Sequence, residues 1–221
     1  MYILHALPDS AGLVVDCLLR EMSVPFRLHL IDRASSERDD APYRALHPEG
    51  KVPVLETPDG PIFETGAILL WLGERHPGFC PSPGSHDRAA FLKWFVYTNN
   101  ALHTTLMELF YPERHAGSPE ALPAFLATAA GRMSGQLALL ETMVASHPDW
   151  CAPGRPTILG YYLSMLLRWI LSFEESHPAN RSGDSFPALL ALARSLETRP
   201  AALAAAEAEE LGPTIFSAPT Y

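Results

Sequence analysis

A segment rich in proline, glycine and serine at 78–87 (GFCPSPGSHD) separates two stretches of the chain that follow different patterns. Before it, short apolar stretches that suit strands alternate with stretches that suit helices. After it, apolar residues recur three and four positions apart, which is typical of helices alone. A chain of 221 residues is long enough for two small domains. The sequence therefore predicts an α/β domain over 1–77, a linker over 78–87 and an all-helical domain over 88–221.

Periodicity and turn residues set the order of elements within these two parts. The first part has a strand, a helix and a strand, then a short helical segment, and finally a β-hairpin and a helix. Predicted strands cover 2–7, 26–31, 52–56 and 61–63, and predicted helices cover 13–22, 42–46 and 65–76. Helices of the second part are predicted over 88–108, 119–146, 157–173, 186–197 and 201–210, and the tail from 212 is predicted to be irregular.

Charge and hydropathy limit the kinds of partner that the chain can have. A formal net charge of −9 disfavours a nucleic-acid partner, because nucleic-acid-binding proteins usually carry a basic patch. No apolar run approaches the ~18 residues of a membrane span, and the N-terminus lacks the basic segment and cleavage site of a signal peptide. We therefore expect a cytoplasmic protein with neither a nucleic-acid nor a membrane partner.

Cysteines and histidines give no sequence signal of a redox or metal centre. Cys17, Cys80 and Cys151 are far apart and form no C-x-x-C, and the nine histidines include no H-E-x-x-H. Cys17 falls on the apolar side of the first predicted helix, so we interpret it as a core thiol. A sparse, odd set of cysteines suits a reducing compartment, and no bound metal is expected.

Four strings carry a family resemblance when they are taken in order: GKVPVL at 50–55, DG at 59–60, FETGAI at 63–68 and WFVYTNNALHTTLMEL at 94–109. Together they resemble the glutathione transferase superfamily over essentially the whole chain. The last string is similar to the first long helix of its bacterial beta class. The resemblance implies a thioredoxin-like N-terminal domain that binds glutathione, an all-α C-terminal domain, a homodimer and a role in detoxification.

The same resemblance places the glutathione site around Val52 and Thr65. A cis bond between Val52 and Pro53 would turn the Val52 backbone outward to pair with the cysteinyl part of glutathione. Read alone, the proline also suits an edge strand. Thr65 would hold the γ-glutamyl carboxylate at a helix start and Glu64 its ammonium, although Thr65 can equally be a plain N-cap. Lys51 would meet the glycyl carboxylate, or is an ordinary surface lysine.

This chain departs from the family at the position that activates the glutathione thiol. No tyrosine ends the first predicted strand, and the cysteine position of the beta class falls on Ala11. Ser10 is the hydroxyl left to stabilise a thiolate, and it is also a plain helix-capping candidate. Asp9 would disfavour the thiolate through its charge. His103 is the second catalytic candidate because its position, like that of Asn99, faces the glutathione site in the beta class; otherwise it is structural.

An apolar pocket between the domains would receive the second substrate. Its candidate lining residues are Leu7, Pro8, Tyr97, Leu106, Phe110 and Tyr111. The same aromatic spacing also suits the core of a helical bundle. The leading hypothesis is conjugation of the glutathione thiolate to a hydrophobic electrophile. Alternatives are another glutathione reaction (isomerisation, dehalogenation or peroxide reduction) and a non-catalytic binding protein of the same fold.

One helix start of the second part also departs from the family pattern. Thr157 can cap the predicted helix, but Gly160 stands where an acidic residue would complete a capping box. We therefore expect Gly160→Asp to raise the melting temperature.

Overall fold

The computed structural model of the protein describes residues 1–220, and its first part contains a mixed four-stranded sheet with the strand order β2-β1-β3-β4. Strand β1 pairs in parallel with β2 and antiparallel with β3, and β3 forms a hairpin with β4. Elements of this part are β1 (Tyr2–Ala6), α1 (Gly12–Glu21), β2 (Phe26–Leu30), α2 (Ala41–Leu46), β3 (Val54–Thr57), β4 (Gly60–Phe63) and α3 (Thr65–Arg75).

Alternation along β1 explains how the sheet divides its neighbours. Leu4 and Ala6 are fully buried in the core that includes residues of α1 and α3. The opposite face is covered in part by α2, whose buried Tyr43 packs in a small cluster with Leu7, Ile31 and Val54. His5 and His29 also lie on this face beside each other, and of the two only His5 is buried.

The second part is helical. Its longer elements are α4 (Arg88–Tyr97), a π-helical turn (Thr98–His103), α5 (Thr104–Phe110), α6 (Leu122–Ala145), α7 (Ile158–Leu171), α8 (Pro187–Glu197) and α9 (Pro200–Ala208). Helix α7 is buried from Ile158 to Ile170 and forms the centre of this part. Thr157 caps it, since its hydroxyl oxygen accepts the Gly160 N–H at 3.1 Å.

The predicted fold class, a thioredoxin-like domain followed by an all-α domain, is confirmed. One predicted helix differs, because 88–108 is a helical run to Phe110 that contains the π-helical turn. Cys17 and Cys151 are buried, and all three cysteines are free. In the described part of the chain, no helix is long and apolar enough to span a membrane.

Two ion-pair clusters join the first part to the second. Glu21 at the end of α1 pairs with Arg199 before α9 and accepts the hydroxyl of Tyr161 from α7 at 2.7 Å. Asp9, in the loop after β1, binds Arg168 of α7. The loop that leads into α1 is therefore fixed from the helical side.

Candidate functional site

The β3–β4 hairpin brings the two predicted glutathione-binding segments together. Val54 pairs with Phe63 in antiparallel register, so residues 52–53 and 64–65 leave the hairpin at the same end. The Val52–Pro53 peptide bond is cis. Within residues 1–220 the backbone of Val52 makes no hydrogen bond. Val52 therefore offers a free N–H and C=O beside the start of α3.

Helix α3 begins without a side-chain cap. Thr65 is its first helical residue and Glu64 is the N-cap, so the prediction that Thr65 occupies the cap position was off by one residue. Glu64 is exposed and has a φ of 72°, an uncommon left-handed conformation for a residue other than glycine. Since no side chain caps the first turn of α3, its backbone N–H groups can receive an anionic group.

A close contact from the helical part supports this helix start. A Cβ atom on Gly66 would lie 2.6 Å from Oδ1 of Asn99, which no real Cβ contact permits. Gly66 therefore allows Asn99 to pack directly against the first turn of α3. Asn99 in turn accepts the hydroxyl of Tyr162 at 3.0 Å.

Lys51 and Glu64 both carry a charge close to His47. Burial lowers the pKa of His47, and the nearby charges of Glu64 and Lys51 act on it in opposite directions. Lys51 is exposed and forms an ion pair with Glu49. Because exposed ion pairs contribute little, ~0–1 kcal/mol, this pairing leaves Lys51 able to exchange partners. Charges of both signs thus lie near His47, and Lys51 precedes the free Val52 backbone directly in the chain.

Ser10 follows β1 and receives two backbone hydrogen bonds. Its hydroxyl oxygen accepts the N–H of Leu7 at 3.3 Å and the N–H of Gly12 at 3.1 Å. Both bonds use the oxygen as an acceptor, so the hydroxyl proton remains available to a further acceptor. Ala11, at the position matched to the beta-class cysteine, is buried.

Asp9 is a residue of this region whose role sequence reasoning missed. Its carboxylate accepts two hydrogen bonds from Arg168, at 2.8 and 2.9 Å, and one from Nε1 of Trp169 at 3.2 Å. Its own N–H donates to Glu209 at 2.8 Å. No local pattern points to these contacts, because the partners lie about 160 and 200 residues away.

His103 is placed in a hydrogen-bonded chain within the helical part. Its Nδ1 lies 2.6 Å from the hydroxyl of Tyr162, which also lies 3.0 Å from Oδ1 of Asn99. Since an amide oxygen only accepts, Tyr162 donates to Asn99, and Nδ1 of His103 then carries the proton that it donates to Tyr162. Burial lowers the pKa of His103 to about 4, so the ring is neutral at pH 7 and Nε2 is its free acceptor.

The predicted electrophile-pocket residues have different environments. Leu106 is fully buried in the helical core and is a packing residue instead of a lining one. Phe110 stacks on Phe173 and meets Trp169 edge to face, so it combines core contacts with partial exposure. Tyr111 is exposed. Pro8 and Tyr97 are half-buried, whereas Leu7 belongs to the small cluster under α2.

Comparisons with known proteins agree with this geometry. Residues 4–81 match the family described as glutathione S-transferase, N-terminal domain. Glutathione S-transferase GST-4.5 of Xanthomonas campestris pv. campestris is 28% identical over 173 residues, which cover 75% of this chain and 81% of that protein. A sphingomonad glutathione S-transferase, solved in complex with glutathione, is 29% identical with a TM-score of 0.77; the match covers 95% of this chain and 100% of that one.

A third relative is named an elongation factor and not a glutathione S-transferase. Elongation factor 1-gamma of Prunus avium is 35% identical over 107 residues, which cover 48% of this chain and only 25% of that longer protein.

The fold and the site together define a class of protein. A thioredoxin-like sheet with a free backbone edge beside an uncapped helix, followed by an all-helical part, is the architecture of glutathione transferases. Residues 4–81 belong to the glutathione S-transferase N-terminal domain family, and the chain as a whole has the glutathione transferase fold.

Proposed function

We propose that this protein binds glutathione and transfers its thiolate to a hydrophobic electrophile. The observation that carries the proposal is the end of the β3–β4 hairpin, where the unpaired backbone of Val52 stands beside the uncapped start of α3. A sheet edge recognises an extended peptide backbone, and a helix start recognises a carboxylate. Glutathione carries both features in one molecule.

Each end of the tripeptide has a candidate partner at this site. The Val52 backbone, shaped by Pro53, would pair with the cysteinyl residue. The hydroxyl of Thr65 and the open amides of α3 would bind the γ-glutamyl carboxylate, and the exposed carboxylate of Glu64 its ammonium. Lys51 would exchange Glu49 for the glycyl carboxylate.

Ser10 is the proposed stabiliser of the thiolate. A free thiol has a pKa of ~8.5, so most of it is protonated at pH 7. Because the Ser10 oxygen accepts two backbone N–H groups, its O–H is polarised and available to donate to the sulfur. His103 remains the second candidate, as a neutral acceptor through Nε2.

The second substrate would bind against apolar side chains between the two parts. Phe110, Tyr111, Tyr97 and Pro8 remain in the proposed pocket after the removal of Leu106 and Leu7, which are both buried in core clusters. The apolar and aromatic surfaces of these side chains favour a hydrophobic electrophile. Competition by apolar inhibitors against conjugation would test this assignment, and inhibition confined to the glutathione site would contradict it.

Calorimetry with glutathione tests the binding site. We expect Glu64→Gln and Thr65→Val each to weaken binding by about tenfold. The first removes the negative charge that would pair with the ammonium, and the second removes the hydroxyl that would donate to the carboxylate. Glu113→Gln, a change of an exposed glutamate in the helical part, is the matched control. Unchanged affinity in both site variants would contradict the proposed site.

A non-catalytic binding protein of the same fold is the second candidate function. It is favoured by the buried Ala11 at the matched cysteine position and by the similarity to an elongation factor 1-gamma. A chromogenic aryl halide discriminates between the two functions. Glutathione binding without conjugation would favour the binding protein or another glutathione reaction, whereas conjugation at a rate above that of free glutathione would favour the transferase.

The assembly and location remain part of the proposal. A homodimer, a cytoplasmic location, a role in detoxification and the domain division at 78–87 all follow from the resemblance or the sequence pattern. Phe63 and Val96 are exposed apolar side chains, 38% and 48% accessible, that a dimer could cover. Light scattering tests the dimer, and limited proteolysis at 78–87 tests the division.

A further inference from the structure

Two histidines and a glutamate meet on the α2 face of the sheet, where His5 on β1 lies opposite Val54 on β3. The parallel register of β1 and β2 sets His5 directly opposite His29, and their rings lie edge to face with centroids 5.2 Å apart. Glu37 enters from the single-turn 3₁₀ helix Glu37–Asp39. One ligand atom from each residue lies within 4.8 Å of the other two.

His5 has a ring nitrogen whose lone pair is free to bind a metal ion. Its residue is 7% exposed, and its Nε2 lies 2.7 Å from Oε1 of Glu56 on β3. Since a carboxylate only accepts, Nε2 carries the proton and Nδ1 carries a lone pair. That Nδ1 is buried and has no hydrogen-bond partner in the described part of the chain. A buried acceptor without a partner calls for an explanation, and a bound metal ion would supply one.

We propose that Nδ1 of His5, the ring of His29 and the carboxylate of Glu37 bind a divalent transition-metal ion, with zinc as the best fit. Imidazole nitrogen and carboxylate oxygen are zinc ligands, and metal-binding histidines commonly donate their second N–H to a carboxylate. Glu56 fills that outer position for His5 and is a positioning residue. Glu37 and Glu56 also supply negative charge to offset the dication.

The ligands need only a small rearrangement. Nε2 of His29 and Oε1 of Glu37 are 2.6 Å apart in a hydrogen bond. Ligand atoms of a tetrahedral zinc lie about 3.3 Å apart, as follows from bonds of ~2.0–2.2 Å. The side chains of His29 and Glu37 are 33% and 41% exposed, so they can separate, admit the ion and leave a fourth position to water.

Sequence patterns give no hint of this site. His5 and His29 come from two separate strands, and Glu37 from the loop that follows, so their spacing matches no metal-binding motif. Only the parallel pairing of β1 and β2 brings the rings together. The expectation of no bound metal rested on sequence spacing alone.

Metal binding by the purified protein tests the proposal. Untagged full-length protein is stripped with a chelator and titrated with Zn²⁺ by calorimetry and with Co²⁺ by visible absorption. We expect one equivalent to bind, with tetrahedral cobalt bands and a higher melting temperature. His29→Gln and Glu37→Gln should each weaken binding at least tenfold, and Glu56→Gln by about tenfold or more.

His86→Gln is the matched control, since His86 also pairs with a carboxylate, that of Asp87 at 3.1 Å, but on the surface. The partly exposed His29 and Glu37 decide the test, because variants of the buried His5 can lose the fold; melting curves in chelator verify that each variant is folded. Absence of one-equivalent binding to the wild type, or wild-type affinity in His29→Gln, would overturn the proposal. Glutathione binding is measured separately on the metal-free protein, so the two proposals fail independently.

Discussion

The carboxylate of Asp9 holds the guanidinium of Arg168 through two parallel hydrogen bonds, Nε to Oδ1 at 2.8 Å and Nη2 to Oδ2 at 2.9 Å. Arg168 is fully buried, and Asp9 lies in the loop between β1 and α1 with a φ of 53°. The pair fixes the residue that precedes Ser10 to the centre of the helical part. The position of the proposed thiolate donor therefore depends on contacts between both parts of the molecule.

Asp9→Asn should destabilise the protein strongly. The change removes the negative charge that Asp9 places on the buried guanidinium of Arg168, and breaking a buried ion pair costs about 3–5 kcal/mol. Chemical denaturation measures the free energy of unfolding. Asp39→Asn is the matched control, because Asp39 pairs with Arg44 at the surface and its loss should cost ~1 kcal/mol or less. Equal effects of the two substitutions would contradict this role of Asp9.

Ser10→Ala should raise the pKa of the bound glutathione thiol toward its free value. Removal of the hydroxyl donor should slow conjugation at pH 6.5 by about 10²-fold at most, with little change in glutathione affinity. The thiolate absorbs in the ultraviolet, so a pH titration of the complex measures the shift. Ser82→Ala, in the exposed linker, is the control. Full activity in Ser10→Ala would remove Ser10 from the mechanism.

The stability of Ser10→Ala separates its two roles. The Ser10 oxygen also accepts the N–H groups of Leu7 and Gly12, so its loss should lower the free energy of unfolding by ~1 kcal/mol. A loss of stability without a change in the thiol pKa would limit Ser10 to a structural role in the turn that leads into α1.

Local periodicity predicts most of the helices and strands, because the apolar spacing of each element matches the face that it buries. The predicted helix 65–76 is observed as Thr65–Arg75, and the predicted helix 186–197 as Pro187–Glu197. The π-helical turn Thr98–His103 was not predicted, since a one-residue change of helical pitch leaves the apolar pattern nearly unchanged.

Contacts across the chain explain what the sequence could not predict about the site. Val52 and Thr65 were predicted from local strings, and hairpin pairing alone suffices to bring them together. Asp9 and Arg168 are 159 residues apart, and neither residue lies in a recognisable motif. Their pairing depends on how α7 packs against α1 and α3, which no local pattern encodes.

Glu209 should make the protein less stable as the pH rises. Burial raises its pKa from 4.5 to about 8. The negative charges of Asp16 and Asp9 also raise this pKa, whereas the hydrogen bond from the Asp9 N–H and the positive charge of Arg168 lower it. Between these values the folded chain keeps a proton that the unfolded chain releases. Its contribution to stability is thus complete below pH ~4.5 and is lost as the pH rises to ~8, at up to ~1.4 kcal/mol per pH unit.

Glu209→Gln isolates this effect. Glutamine can still accept the Asp9 N–H but does not titrate, so the variant should be more stable than the wild type at pH 8 and no more stable at pH 5. Melting temperatures across this range measure the difference. Glu207→Gln, on the exposed side of α9, should follow the wild type. Identical pH slopes for Glu209→Gln and the wild type would refute the raised pKa.

Gly160→Asp should lower the melting temperature, which reverses the expectation from the sequence. In a capping box the acidic side chain accepts the N–H of the cap residue, but the Thr157 N–H already donates to the carbonyl of Arg155 at 2.9 Å. A Cβ at position 160 would also lie 3.1 Å from Oγ1 of Thr157 and 3.4 Å from a methyl group of Leu196. The new carboxylate would be buried without its intended partner, which costs about 1–3 kcal/mol.

Gly160→Ala separates the crowding from the carboxylate, because it adds the same Cβ without a charge. We expect alanine to be less harmful than aspartate, since it crowds Thr157 equally but buries no polar group. Calorimetric melting of the three proteins gives the order wild type, alanine and aspartate. A variant with aspartate that melts above the alanine variant would show that the carboxylate finds a donor at this helix start, and that the reciprocal cap can form after all.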